Sequence, residues 1–527
     1  MLIEQAARHW TGPGVPDHLS EELGKDWYLV KQAPVTSHWI LCDNADWALW
    51  RAGALLFKSG RELELRHAGH CLTARVKRKQ WRFWWDLPEG PLRQMLVPLI
   101  GVRALIEQAQ IERFERGVTL CNSDRKTVAR LFQQQLDLEQ YSPEREQNSP
   151  EPEFKKRKPS NRCGHVQLLP LRGYREEFEQ IADRLETLLF DESWKRQTGD
   201  DVERLLLLQA GLQPAEPPTK VLGISPGEAT ELVVRRWAVA LLQRARDQHW
   251  GLVADLDTEF LHQYRVALRK TRSLLALVKT AFPEARRQEW KLALSELARA
   301  TNQVRDLDVF LLSEPNHRQL LPSDFEEGLD QLFGQCRRQR QQAFRRLRSF
   351  VQSQDYARKF DELTASFSEP PEFSTELAVK PIKPVVNGQL LRRYRKICRR
   401  IARLDSDSPA EQLHQLRIAG KKLRYLMEFF AELYPAKPMA KNIKATKNLQ
   451  SLLGDFNDYS VQIAFLRERL ERTESPALAA AVNGLIAVLY QQQAALRADL
   501  AETLRAFCTD SRRRKFEQLC RDIGDGL

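Results

Sequence analysis

LHQYRVALRKTR at residues 261–272 returns as LHQLRIAGKKLR at residues 413–424, an offset of 152. From the histidine onward six of eleven positions are identical, and the exchanges are mild: Val266 becomes Ile418 and Arg269 becomes Lys421. RDLDV at 305–309 is answered by NDYSV at 457–461, so Asp306 follows His262, and Asp458 follows His414, by the same 44 residues. Two segments that keep one spacing with no net insertion predict a duplicated unit.

At about 100° per residue, His262, Arg265, Arg269 and Arg272 fall within roughly 80° of one helix face. Phe260, Tyr264, Leu268, Leu274, Leu275 and Val278 take the other side, as suits a helix packed on a core with a cationic face turned outward. His414, Arg417, Lys421 and Arg424 repeat the stripe. An ordinary solvated face mixes signs, usually as Glu and Lys at helical spacing. Neither stripe contains an acid, and the repeat keeps it at every position, so the pattern points to an anion site.

A histidine leading an Arg/Lys ladder, twice in one helical region and each time followed by an RDLD-like or ND segment, resembles the CHAD family, the conserved-histidine α-helical domains. The resemblance covers about residues 226–527. It implies two pseudo-symmetric four-helix bundles that bind inorganic polyphosphate along a basic surface or pore. The family's association with polyphosphate granules implies a cytoplasmic scaffold or targeting role. On that basis the polyphosphate-binding residues are His262, Arg265, Arg269, Lys270, Arg272, His414, Arg417, Lys421, Lys422 and Arg424, joined by Arg392, Arg395, Lys396 and Arg399. Asp306, Asp308 and Asp458 are supporting residues, orienting nearby Arg/Lys or capping helices, and no metal ligand is assigned. Lys441, Lys444 and Lys447 spread over a wider arc and are peripheral.

At 527 residues the chain exceeds one ordinary core, and two or three domains are expected. A net charge of +12 favours phosphate-rich or membrane-surface partners without choosing among them. The excess is local: residues 391–424 hold eleven Lys/Arg against three Asp/Glu. Eight scattered cysteines without a C-x-x-C pair, and no histidine at zinc-finger spacing, suggest a reduced cytosolic chain without structural metal. No apolar stretch is long enough to span a bilayer, so no membrane partner is expected.

Residues 1–135 read mostly as β. Trp81, Phe83 and Trp85 alternate with Arg82 and Trp84, Leu63 and Leu65 with Glu62 and Glu64, and Asn122-Ser123-Asp124 has the composition of a hairpin turn. Residues 91–108 suggest a helix or irregular crossover. The polar stretch 139–164 suggests a flexible loop, and its KKRK run reads as a solvated charge cluster. A short strand at 166–169 and helices at 174–190 and 201–212 follow. The prolines of 213–223 mark a boundary, after which Ser225-Pro226-Gly227-Glu228 has the form of a capping box opening a helix. The expected organisation is α+β and multidomain: a domain at 1–215 built on an antiparallel β sheet or barrel with helices, then an all-α domain at 226–527. That second domain divides into a repeat at 226–366, a linker at 367–388 and a repeat at 389–527, with four helices in each repeat.

DNADWALWRAG at 43–53, WDLPEGPLRQMLVPLIGVRALI and SDRKTVARL resemble the CYTH, or triphosphate tunnel, domain that is fused ahead of CHAD domains. This resemblance covers about residues 20–215 and implies a closed β-tunnel hydrolysing inorganic triphosphate with metal-binding glutamates. Such chemistry needs a divalent metal held by carboxylates, and that family begins with an E-x-E-x-K strand. Here the first twenty residues offer only Glu4. Glu62-Leu63-Glu64-Leu65-Arg66 mimics the alternation but follows the DNADWALWRAG segment, and its plain reading is the polar face of a strand. The domain is therefore expected to be degenerate and non-catalytic, with no cofactor. An inorganic triphosphatase with relocated ligands, which would need a divalent metal, is the enzyme alternative, and a nucleic-acid-binding module is the third reading. Against the third stands the lack of a helix-turn-helix, zinc or RNP-like pattern and of aromatics interleaved in the ladder.

Overall fold

The computed structural model describes residues 7–16, 18–77, 81–143, 154–157, 162–189, 193–197, 201–215, 221–404 and 408–521. It divides into two compact units, 1–217 and 218–527.

The first unit is an antiparallel sheet with helices. Its strands are β1 (Arg8–Gly12), β2 (Tyr28–Lys31), β3 (Val35–Asn44), β4 (Ala54–Ser59), β5 (Glu62–His67), β6 (His70–Arg75), β7 (Leu105–Cys121), β8 (Thr127–Pro143), β9 (Phe154–Arg157), β10 (Cys163–Pro170) and β11 (Lys195–Gln197). The helices are α1 (Leu19–Leu23), α2 (Ala48–Arg51), α3 (Pro91–Ile100), α4 (Arg175–Leu188) and α5 (Val202–Gln209). The strand order is β11-β1-β10-β8-β7-β3-β4-β5-β6, with β2 on β7 and β9 on β8. Between β7 and β8, Asn122 Oδ1 accepts from the Lys126 amide at 3.0 Å and closes the expected hairpin. The alternation in β5 sets its faces: Leu63 and Leu65 pack with Leu92 and Leu96 of α3, while Phe57, Ile111 and Leu136 meet Leu206 and Leu207 of α5.

One expectation fails in this unit and two hold only in part. Trp81 to Trp85 do not form a strand: Trp84–Asp86 is a 3-10 turn, Phe83 stacks on Trp85 at 4.4 Å, and the Trp84 indole donates to the Gly101 carbonyl. Aromatic alternation has here served side-chain stacking. The stretch 91–108 is helix only to Ile100, and its end already belongs to β7. Of the loop expected at 139–164, the start lies in β8, which runs to Pro143, residues 154–157 form β9 paired with it, and the end lies in β10; residues 144–153 and 158–161 lie outside the described residues. Backbone ladder bonds override the polar composition there, and the first three residues of KKRK lie in β9.

The second unit is helical: α6 (Thr230–Asp247), α7 (His249–Val253), α8 (Thr258–Leu277), α9 (Glu284–Arg299), α10 (Asn302–Leu312), α11 (Glu314–Leu320), α12 (Glu326–Val351), α13 (Gln354–Ser368), α14 (Glu376–Val379), α15 (Ile382–Ile401), α16 (Ala410–Phe429), α17 (Ala436–Leu470), α18 (Pro476–Phe507) and α19 (Asp510–Arg521). The starts of α15, α16 and α17 lie 152 residues after those of α6, α8 and α9. A short 3-10 turn follows α8 at Lys279–Ala281 and α16 at Ala431–Leu433. The two opening helices are laced together, since Ala229 bridges Pro381 and the Ile382 amide donates to the Glu228 carbonyl at 2.9 Å.

Both regions hold more helices than the four expected of each. The capping box is displaced: Glu228 reaches the Ser225 amide at 3.3 Å, but that turn precedes a helix whose first residue is Thr230. The second helical run starts at Ile382, inside the stretch expected to be linker. Pro384 is tolerated because amides of a first helical turn have no partner within the helix. Cys398 and Cys508 are joined as a disulfide, contrary to the expected set of free thiols. Among the described residues no helix is long and apolar enough to cross a membrane.

Candidate functional site

α8 and α16 carry the two ladders and pack against each other. Asp257 starts α8, its carboxylate accepting from the amides of Glu259 at 2.9 Å and Phe260 at 3.3 Å, and this fixes where the stripe begins. The inward faces are closed. Phe260, Tyr264, Leu268 and Leu274 of α8 and Leu413, Leu416, Leu423 and Leu426 of α16 are buried, so the ladders are held by helices whose rotation is set by packing.

On the α8 side, Arg265 donates to the Ala298 carbonyl at 3.2 Å, Thr301 Oγ1 at 2.5 Å and Asn302 Oδ1 at 2.7 Å. The acceptors exist because α9 ends at Arg299 and the chain turns before α10. Burial lowers the Arg265 pKa, Asp306 opposes the shift, and Arg269 and Arg305 add to it. Arg305 is likewise lowered by burial, with Asp308 and Glu259 opposing the shift, Arg269 adding to it and Asp306 opposing it. Asp306 is raised by burial and drawn back by Arg265 and Arg305. His262 is half-buried on the same face.

The α16 side repeats the arrangement with less anchoring. Arg417 lies 3.6 Å from Asp458, the counterpart of Arg265 with Asp306. Gly454, on α17, stands at the position equivalent to Asn302, and a Cβ there would be 4.0 Å from Arg417 Nε. The Nε atoms of Arg417 and Arg424 are buried without an acceptor. His414 Nδ1 meets Asn457 Oδ1 at 2.6 Å, and since that oxygen only accepts, Nδ1 carries the proton and Nε2 faces elsewhere. Lys421 is pushed down to about 8, by burial first, then by Arg417 and Arg269, with Asp458 acting the other way and Arg424 adding to the fall. The influence of Arg269, on α8, brings the two ladders into one electrostatic site. Asp306 and Asp458 lie among Arg265, Arg269, Arg305, Arg417 and Lys421, while Arg305 also feels Asp308 and Glu259 and Arg424 has Glu428 at 3.5 Å.

Other expected members lie elsewhere. Lys270 is 3.5 Å from Glu428, which Arg424 approaches at the same distance, and Lys270 lies over the buried Tyr425 ring. Arg272 is exposed. Asp308 is 2% exposed and bound at 2.8 Å to Arg340, which also holds Asp255; it braces α10 on α12 and also acts on Arg305. Arg392, Arg395, Lys396 and Arg399 are exposed on α15, and Arg395 is paired with Glu517 at 2.8 Å. Lys422 looks towards α15, away from Lys421. The sequence reading missed Arg305, whose counterpart at 457 is Asn, so a search for recurring residues passes it over.

In the first unit, charged side chains satisfy one another. Glu64 bonds Arg66, Glu203 of α5 bonds both Arg66 and Arg113, and Glu115 bonds Gln134 at 2.6 Å. Gln134 meets His165 at 2.9 Å, and His165 stacks on His9. Burial lowers the His165 pKa to about 4, with His9 and Arg113 adding to the shift. Glu62 is exposed. Among the described residues no group of three or more His, Cys, Asp or Glu could hold a metal ion.

The family model of the CHAD domain matches residues 236–467, from within α6 into α17. Residues 236–467 form a CHAD domain. Both ladders lie within it. Two curated relatives, uncharacterised proteins from Mycobacterium tuberculosis strains CDC 1551 / Oshkosh and ATCC 25618 / H37Rv, are each 31% identical over 268 residues, covering 49% of this chain and 48% of theirs. The matched part thus spans about half the length of those relatives. Among solved structures, the CHAD domain from the plant Ricinus communis is 26% identical, covers 54% of this chain and 94% of its own, and gives a TM-score of 0.47. PptA from Streptomyces chartreusis is 16% identical, covers 55% and 99%, and gives 0.39.

Proposed function

We propose that this protein binds inorganic polyphosphate in the groove between α8 and α16 of its CHAD domain, as a scaffold or targeting component. The observation that carries the reading is the packing of α8 against α16, which brings the cations of both ladders together, so that Arg269 of one helix acts on Lys421 of the other. A linear polyanion with a charge on every phosphate suits such a row: arginine supplies a planar fork of donors and lysine a mobile charge, with no sequence to be read. The buried Nε atoms of Arg417 and Arg424 are donors with an unmet requirement. RNA would gain little from stacking here, because Tyr425, the aromatic beside the cations, is 2% exposed. If Arg265, Arg269, Arg305, Arg417, Lys421 and Arg424 each contribute about 1–1.5 kcal/mol net, the groove supplies roughly 6–9 kcal/mol, near micromolar affinity.

The deciding experiment compares long-chain polyphosphate with single-stranded RNA of equal charge across a salt series. Polyphosphate binds more tightly at every salt concentration. Arg269→Glu with Lys421→Glu abolishes that preference while the helical circular dichroism signal is retained. Preference of the unaltered protein for RNA would reject the reading.

A further inference from the structure

Lys422 sits about 100° round α16 from Lys421 and belongs to a different neighbourhood. Its field is set, after burial, by Arg393, Lys396, Lys279 and Arg400, all cations and all lowering its pKa. Arg393, Lys396 and Arg400 occupy i, i+3 and i+7 of α15, the face turned to α16, where Arg400 donates to the Gln415 carbonyl at 2.7 Å. Lys279 arrives from the turn after α8. Among the described residues none of these five makes an ion pair. Glu284, near enough to sense Lys279, is occupied by Arg287 and Gln288. Arg393 adds a buried Nε without an acceptor.

The equivalent position in the first repeat shows what is missing. Lys270 lies 152 residues before Lys422 and has a carboxylate, Glu428, at 3.5 Å, shared with Arg424. One lysine of the pair is neutralised by its own chain; the other is surrounded by positive charges that the packing of the helices keeps close at an energetic cost. Fixed cations gathered with no ion pair among the described residues suit an anion-binding station.

We propose that Lys279, Arg393, Lys396, Arg400 and Lys422 form a second phosphate station on the α15 side of α16, and that a long polyphosphate chain engages it together with the groove. This rests on the proposed function and adds a dependence on chain length. A short oligophosphate occupies either station separately. A long chain occupies both at once and gains by effective concentration what the groove alone does not give.

Calorimetric titration of the full chain with tripolyphosphate and with long-chain polyphosphate tests this, using Lys396→Gln/Lys422→Gln and Arg269→Gln/Lys421→Gln, with circular dichroism confirming the fold of each variant. Tripolyphosphate binds the unaltered protein at two sites and each variant at one. Long-chain affinity falls about 10- to 100-fold in either variant, the loss of two charge-assisted contacts. A single tripolyphosphate site together with unchanged long-chain affinity in Lys396→Gln/Lys422→Gln overturns the second station and leaves the groove standing. Unchanged binding of both ligands in Arg269→Gln/Lys421→Gln overturns the groove instead.

Discussion

Raising the pH should release polyphosphate through Lys421. Burial and the Arg417 and Arg269 charges bring its pKa down to about 8, so the ammonium is about nine-tenths charged at pH 7 and about one-tenth at pH 9. A polyanion favours the charged form and raises that pKa, so binding takes up a proton and affinity falls as pH rises through 8. If the bound form keeps its proton throughout, affinity drops roughly tenfold between pH 7 and 9, about 1.4 kcal/mol. For folding the sign is opposite: the unfolded chain holds this proton more tightly from about pH 8 up to the ordinary lysine value, so the free protein gains stability across that window. Fluorescence anisotropy with labelled polyphosphate at constant ionic strength measures the first effect, and calorimetry in buffers of different ionisation enthalpy measures the proton uptake. Lys270 and Lys422 are also lowered, so the diagnostic quantity is the difference between the unaltered protein and Lys421→Arg, which keeps its charge at pH 9. Equal pH dependence in the two would refute the argument.

Other expected outcomes follow from single contacts. Asp308→Asn leaves Arg340 underpaired in a buried network and should cost about 3–5 kcal/mol in urea unfolding; a loss below about 1 kcal/mol would remove its bracing role. Glu203→Gln takes the shared carboxylate from Arg66 and Arg113 and should lower the melting temperature of the β transition while long-chain polyphosphate affinity stays within about twofold; equal loss of binding would place an anion site in the first unit. Gly328→Ala puts a Cβ 2.2 Å from the Ala477 carbonyl oxygen at the contact of α12 with α18 and should destabilise by about 1–3 kcal/mol despite better helix propensity; a stabilised variant would show that the helices separate freely. Thiol titration of the unreduced, denatured protein should find six thiols, rising to eight on reduction, and eight at the outset would remove the Cys398–Cys508 bond.

What the sequence made legible was periodic and local. The ladder with its apolar opposite face gave α8 and α16, and the alternation in β5 gave its buried and polar sides. The parts it hid depend on distant partners. Arg305 joins the groove through the fold, since nothing in RDLDV separates its first arginine from an ordinary helical cation. Glu428 looks like the end of an amphipathic helix and becomes a counter-ion for Lys270 only because α8 crosses α16. Asp308 and Asp306 share one motif yet diverge by helical rotation, one buried against Arg340 and the other facing Arg265. The 382–388 segment reads as linker because it carries on the proline-rich stretch before it and holds Pro384 and Gly388 itself, whereas position within the first helical turns decides what they cost.

The two units treat positive charge differently, and that contrast bears on where a polyanion binds. In the β unit Arg66 and Arg113 are held by Glu64, Glu203 and Glu115 in partly buried pairs, so an incoming phosphate must break ion pairs and leave carboxylates unpaired, at a cost of several kcal/mol. In the helical unit Lys421 and Lys422 sit among cations whose charges lower the pKa of each. A phosphate arriving there relieves repulsion already present in the free protein, so part of the binding energy is stored beforehand in packing that forces like charges together. Salt should therefore act twice, screening the ligand while easing the repulsion, and the free helical unit should gain stability in moderate salt under conditions that weaken polyphosphate binding.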